Sequence, residues 1–260
     1  MSAVDVAFHG LRQMISSGRL AAGQKFPPEA DLCEELGVSR GSLREAVRML
    51  SALRVIDSRH GSGTYVARLV PEEIVGTLAL TVDLLPLAGL LEIYELRRVL
   101  EAHATSQAAA KITEEQGREL LQLLDRMEAT SDGHQASELD ALFHSSIAAI
   151  AGSPTLATLL DVFRSRSRSY QIFDTPDGKL IKATSDAGHR SITNALIARD
   201  PAAAYSAAAQ HVAQTEHWLR LHQPPVSGAP DRSVAPPAPS RGRSYRRRQL
   251  AGSADDQPHR

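Results

Sequence analysis

Apolar residues recur at Val4, Ala7, Phe8, Leu11, Met14 and Ile15, the three-and-four spacing of one helix face, and the run stops at Gly18. After the connection GRLAAGQKFPP, the stretch PPEADLCEELGV predicts a second helix. Proline opens it, acids fill its first turn, Leu32 and Leu36 face inward, and Gly37 ends it. Two residues later Ser39 caps a third helix, SRGSLREAVRMLSAL, with a stripe of Leu43, Val47, Leu50 and Leu53. The pattern then switches to β character in VIDSRHGSGTYVA, a hairpin around a Gly-rich turn.

From about Pro71 every segment reads as helix. LEIYELRRVLEAHATSQAAA repeats apolar residues through Leu91, Ile93, Leu96, Val99 and Leu100. TEEQGRELLQLLDRME opens on a Thr113–Gln116 capping box. A third helix carries ELDALFHSSI, and Ser153-Pro154 starts a fourth reaching roughly Phe173. HRSITNALIARD is a fifth, and Asp200-Pro201 starts the sixth, AAAYSAAAQHVAQTEHWLRLH. The expectation is a mainly α chain: a winged helix-turn-helix domain over residues 1–68, then an all-α antiparallel helical bundle over 69–222, of the kind that builds ligand sites from inward-facing side chains on neighbouring helices. Residues 223–260, rich in proline, serine, glycine and arginine, lack the apolar mass to offset ordering entropy and are expected to be a disordered tail. The RGRSYRRR cluster in that tail is either a solvated extension or a source of non-specific DNA affinity.

Helix, helix, tight turn, helix, hairpin is the order of a domain that lays its third helix in the DNA major groove. The polar face of that helix carries Ser39, Arg40, Ser42, Arg44 and Arg48, and the arginine fork matches guanine edges and phosphates. Gly61 and Gly63 keep the hairpin tip thin, with Arg59 and His60 beside them. The plainer alternative is the solvated face of an ordinary three-helix domain.

Within the bundle Asp140 and His144 stand four residues apart, on one helix face. His189 and His211, on the fifth and sixth helices, supply two further imidazoles. Three imidazoles and a carboxylate suit a divalent ion such as Zn²⁺, Ni²⁺ or Mn²⁺. With 10 histidines in the chain, a polar patch lined by the same residues is the competing reading.

Composition narrows these choices. Only 4% of residues are aromatic, and alanine and leucine supply most of the apolar mass, which favours helix over strand. The lone cysteine, Cys33, forms no internal disulfide, and no run is long and apolar enough for a membrane span. The expected location is the cytoplasm. Formal charge is −1, divided among a near-neutral head, an acidic middle and a basic tail.

The residues from Ile15 to Val66 resemble the DNA-binding domain of GntR-family bacterial transcription regulators. The likeness lies in the Gly-x-Leu-x-x-Gly loop, Pro-Pro-Glu, Gly-Val-Ser-Arg, Leu-Arg-Glu-Ala and the Gly-Ser-Gly-Thr-Tyr-Val wing. The resemblance implies that Ser39, Arg40, Ser42, Arg44, His60 and Gly61 lie at the DNA. Ala30 stands where many members carry a DNA-contacting arginine. Residues 71–222 resemble the FCD ligand-binding domain of the FadR-type subgroup through YELRRVLE, ELDALFHSSIAAIAGSPTL and HRSITNALIARDPAAAYSAAAQH, with Ser153 where asparagine is frequent. That likeness implies a metal held by Asp140, His144, His189 and His211. It also implies a small carboxylate or sugar-acid effector clamped by Arg97, for which an internal pair with Glu101 is the alternative.

No nucleophile elbow, phosphate loop or zincin helix is present, and no further general base stands at an obvious spacing. The expectation is therefore not an enzyme but a DNA-binding regulator, a repressor, dimeric on a short inverted repeat of double-stranded DNA. A regulator sensing the ion itself, or a small metallohydrolase, are the alternatives.

Overall fold

Ser2 begins the chain's first helix by a reciprocal cap: its Oγ accepts from the Asp5 backbone N–H at 3.1 Å, and the Asp5 carboxylate accepts from the Ser2 N–H at 2.9 Å. The structure, a computed structural model, describes residues 1–59, 61–170 and 172–224. His60 and the expected tail beyond Pro224 lie outside the described residues.

Helix α1 (Ala3–Ser16) buries Ala7, Leu11 and Met14. α2 (Glu29–Leu36) ends at Gly37, whose φ of 63° is the left-handed conformation that lets the chain turn sharply into the next helix. α3 (Arg40–Ala52) follows, its stripe made of Leu43, Ala46 and Leu50; Leu53 falls at the cap and is exposed, one turn short of the expected stripe. β1 (Ile56–Arg59) and β2 (Gly63–Val66) pair antiparallel with Ile56 opposite Val66 and Arg59 opposite Gly63. The loop before α2 lines the outer edge of this hairpin, where Phe26 N–H donates to Thr64 O at 2.8 Å and Val66 N–H to Gln24 O at 2.9 Å. One apolar cluster, centred on Leu11, Leu32, Leu43, Leu50, Ile56 and Val66, joins all three helices to the hairpin. This is the expected winged helix-turn-helix.

Two short helices, α4 (Pro71–Gly76) and α5 (Ala79–Val82), lead into α6 (Leu87–Lys111), α7 (Glu114–Ala129), α8 (Gly133–Ala151), α9 (Pro154–Arg168), α10 (Gly178–Ile197) and α11 (Pro201–His222). The expected caps operate. Thr113 and Gln116 form the reciprocal box, Ser153 Oγ accepts from Leu156 N–H, and Asp200 accepts from two N–H groups of α11. α6 is central, packing on α8, α9, α10 and α11. Its neighbours close a core around Leu124, Phe143, Ile192 and Leu196.

Three expectations need correction. The apolar stripe read on α6 is not its buried face: Leu96 and Val99 are 53% and 52% exposed. The buried side runs through Leu90, Tyr94, Arg97, Glu101, Thr105 and Ala108, an equally regular spacing that carries polar groups where it lines a site. α9 stops at Arg168 rather than near Phe173, because the chain leaves the helix to bring Tyr170 against Leu90, Tyr94, Val212 and Leu219; a 3-10 turn, Ile172–Asp174, follows. Finally, α10 begins at Gly178, not at His189, so His189 is mid-helix. A Cβ at Gly178 would meet the Phe173 carbonyl oxygen at 1.9 Å, so only glycine allows this close entry.

Candidate functional site

The DNA-reading candidates sit at the start of α3 and on the wing. Ser39 caps α3, its Oγ accepting from Ser42 N–H at 3.2 Å, and the two hydroxyls lie 3.0 Å apart. Ser39 therefore fixes where α3 begins. Arg40 is exposed and enters no ion pair among the described residues. Arg44 is forked onto Glu29 of α2, with Nε 3.1 Å from both carboxylate oxygens and Nη2 at 3.0 Å. That contact raises the Arg44 pKa and lowers that of Glu29. Both partners are exposed, so solvent screens the pair and it holds the arginine only weakly. Gly61 is exposed at the wing tip with φ +71°. Beside it Arg59 stacks on the Tyr65 ring, 4.6 Å from its centroid.

The metal candidates converge. Asp140 and His144 come from adjacent turns of α8, His189 from the middle of α10 and His211 from α11, and one donor atom from each lies within 4.8 Å of all the others. Asp140 Oδ1 is 3.1 Å from His189 Nε2 and 3.7 Å from His144 Nε2. The His189 and His211 rings lie 4.4 Å apart, and Phe143 closes the inner side at 4.8 Å from His189. His144 Nε2, both nitrogens of His189 and His211 Nδ1 are buried with no hydrogen-bond partner among the described residues. Orphaned nitrogens of this kind are costly unless something else satisfies them. Asp140, His144, His189 and His211 would each offer one donor to a divalent ion, and one carboxylate with three imidazoles is a donor set that such an ion takes.

Electrostatics keep Asp140, His144 and His211 in ligating form. Burial pushes the Asp140 carboxyl up, but Arg164, His189 and His144 override it and hold the group well below the usual carboxylate range. Burial, reinforced by Arg164, drives the His144 imidazole well below its usual value; burial and His189 do the same to His211. An ionised carboxylate beside neutral imidazoles is the state a cation requires.

Behind the cluster lies a buried chain of alternating charge. Arg164 of α9 donates from Nη2 to Asp140 Oδ2 at 2.6 Å and from Nη1 to Glu101 Oε2 at 2.7 Å. Glu101 Oε2 also lies 3.3 Å from His144 Nδ1, which turns the other ring nitrogen toward the cluster. Arg97, only 3% exposed, closes the chain: its Nε donates to Glu101 Oε1 at 2.8 Å and its Nη1 to Ser167 Oγ at 2.7 Å. Burial acts to lower the Arg97 pKa, yet the Glu101 carboxylate raises it above the ordinary value. The internal pair weighed from sequence is thus present, and Arg97 also faces the cavity that borders Asp140 and His211.

Sequence reasoning passed over Arg164 and Gly188. Arg164 is the first arginine of FRSRSRSY, and its spacing from the buried Leu160 is the signal that marks it. Gly188 stands against His211: a Cβ there would lie 2.6 Å from His211 Nδ1. The side chain missing at 188 is what lets the ring enter the cluster.

Two family models and several known proteins match the chain. Residues 4–66 match the model of bacterial regulatory proteins, gntR family, and residues 92–214 match that of the FCD domain. An uncharacterized HTH-type transcriptional regulator of Bacillus subtilis is 32% identical over 76% of this chain and 82% of its own length. The Glc operon transcriptional activator of Escherichia coli K12 is 29% identical over 80% and 85%. The Uxu operon transcriptional regulator of the same strain is 29% identical over 80% and 83%. A solved structure of a Streptococcus agalactiae GntR protein, 28% identical, superimposes with a TM-score of 0.50, covering 82% of this chain and 99% of that one. No helix of the described residues is long and apolar enough to cross a membrane.

Proposed function

The chain belongs to the gntR family of bacterial regulatory proteins, regulators of transcription rather than enzymes, and from that premise we propose how it is controlled. It is a cytoplasmic repressor that binds a short inverted repeat as a homodimer through a head spanning residues 1–68. A small carboxylate or sugar acid, held at a divalent metal in the helical region of residues 69–222, sets its operator affinity. The observation that carries this reading is the gathering of Asp140, His144, His189 and His211 from three helices, with at least one buried nitrogen of each imidazole lacking a hydrogen-bond partner among the described residues.

A divalent ion held there supplies a positive anchor for a carboxylate oxygen. The residues do the rest. Asp140 and the three imidazoles fix the anchor, Glu101 orients His144, and Arg97 sits on the cavity wall able to donate to the acid's second oxygen. Ligand bound between α8, α10 and α11 shifts their packing, and the shift reaches DNA only through a difference in effector affinity between two states of the dimer. Operator recognition falls to Arg40 and Arg44 on α3 with His60 and Gly61 at the wing, while Ser39 and Ser42 fix the angle at which α3 enters the groove. The relatives named for the Glc and Uxu operons support control of an operon; one of the two is an activator by name, so the sign is part of the test.

A reciprocal pair of variants tests the division. His144→Ala is expected to lose bound metal, by elemental analysis, and to leave operator binding intact but unresponsive to effector. Arg44→Ala is expected to weaken operator binding by about 1–3 kcal/mol with metal content unchanged. Full metal in the first variant, or undiminished operator affinity in the second, would overturn the corresponding half; rising transcription from the operator when the protein binds it would replace repressor by activator.

A further inference from the structure

Beside the metal candidates lies a small cavity of about 80 Å³. Asp140 and His211 form part of its wall, and three arginines, Arg97, Arg164 and Arg168, line it as well. The charges around it are countable. Arg97 and Arg164 are both buried and both matched, the first by Glu101 and the second by Glu101 and Asp140 together. Two positive and two negative charges leave this group neutral. Imidazoles bind a cation only in their neutral form, so His144, His189 and His211 add nothing.

A divalent ion in the cluster therefore brings two positive charges with no counter-charge among the residues that surround it. Uncompensated charge in a buried site is unfavourable, and a ligand that neutralises it gains accordingly. A monocarboxylate cancels one of the two charges. Arg168 adds another: it ends α9 one turn beyond Arg164, about 6 Å further along the helix axis, and it forms no ion pair among the described residues. Arg168 also borders the outer cleft that shares Ser137, Tyr170 and Phe173 with the cavity, which places it at the mouth. Glu138 and Asp174 line that outer cleft without pairing with it. Two residues of the cavity wall also carry unsatisfied groups: Tyr94 Oη and Trp218 Nε1 are buried without hydrogen-bond partners among the described residues.

Resting on the metal-dependent reading above, we propose that the effector is a short-chain dicarboxylate. One carboxylate lies at the face made by Asp140 and His211, and the second pairs with Arg168. The small volume restricts the body to a few carbons, and a hydroxyl on that body offers Tyr94 and Trp218 the acceptor they lack.

Two matched pairs of acids test the charge count: malate against 2-hydroxybutyrate, and succinate against butyrate, each differing by one carboxylate. They are titrated by calorimetry into zinc-loaded full-length protein whose zinc content is measured on the same sample. In each pair the diacid is expected to bind at least about tenfold tighter. Arg168→Gln, an exposed position, is expected to erase that margin by weakening the diacid alone, with zinc content unchanged. A zinc-loaded protein that binds the monoacids as well or better, that binds none of the four, or whose preference survives Arg168→Gln overturns the dicarboxylate assignment and leaves the metal site standing. A protein that retains no zinc after loading overturns the metal site and this proposal with it.

Discussion

Gly188→Ala is the most discriminating single change, because Gly188 is neither a donor nor near the DNA head. Its added methyl carbon would lie 2.6 Å from His211 Nδ1 and 3.4 and 3.5 Å from Cγ and Cβ of the same ring. Ordinary contact is about 3.5 Å, so the ring must retreat by about 0.9 Å while its own base stays almost in place. Metal-ligand distances tolerate only about 0.2 Å. The variant should therefore lose at least the 10–100-fold in metal affinity that follows from disturbing an orienting contact. Stability should move little. Overpacking costs about 1–3 kcal/mol, and replacing glycine by alanine inside a helix returns about 1 kcal/mol, leaving the metal-free protein about 0–2 kcal/mol less stable. Zinc competition against a chromogenic chelator, run beside urea unfolding of the metal-free protein, separates the two quantities. Gly117→Ala is the control: it too lies inside a helix, but its Cβ would meet Ile197 at an ordinary 3.5 Å, so it should stabilise slightly with zinc affinity unchanged. Zinc affinity within twofold of wild type in Gly188→Ala would refute the claim that this glycine admits His211.

Arg164→Met removes the cation between Glu101 and Asp140 while keeping much of the volume; it should cost the metal-free protein about 3–5 kcal/mol, and a loss under 1 kcal/mol by urea unfolding would mean that the chain of charges is not coupled. Acid should destabilise the metal-free protein early: His144 and His211 are held below 6.5 in the fold, so the unfolded chain takes up protons that the folded one refuses. Their contribution is complete above pH 6.5 and is lost as pH falls, at a slope of up to about 2.7 kcal/mol per unit for two groups; an unfolding midpoint flat from pH 7.5 to 5.5 would contradict it.

What the sequence disclosed, and what it hid, divides along a physical line. The winged head was legible because its signals are local: Ser39 as a cap, Gly37 as a left-handed stop, and apolar stripes whose buried members are the apolar ones. Asp140 and His144 were legible because two donors one turn apart share a face whatever surrounds them. On α6 the same method chose the wrong face. A buried side that carries Arg97 and Glu101 has the polarity of a solvated surface, and the exposed Leu96 and Val99 offered a more apolar alternative. α10 was shortened for a related reason, since between Ile181 and Ile192 its inner positions are Ser185, which lines the cavity, Gly188, which makes room for His211, and His189 itself, none of them apolar markers of a stripe.

These errors have one origin. Hydrophobic periodicity assumes that each helix solves its burial problem alone, whereas here the compensation is shared: Arg97 and Glu101 on α6, Arg164 on α9 and Asp140 on α8 are acceptable in the interior only together. No window along a single helix contains that balance. What survives within one helix is the spacing. Leu90, Tyr94, Arg97, Glu101, Thr105 and Ala108 keep one face in line through its polar middle, and the small residues at its far end, Ala104 and Ala108, fit a surface packed closely against neighbours rather than one turned to water. A polar interruption in a stripe that resumes in register therefore marks a buried site, and on α6 that interruption is the Arg97–Glu101 pair bordering the metal candidates.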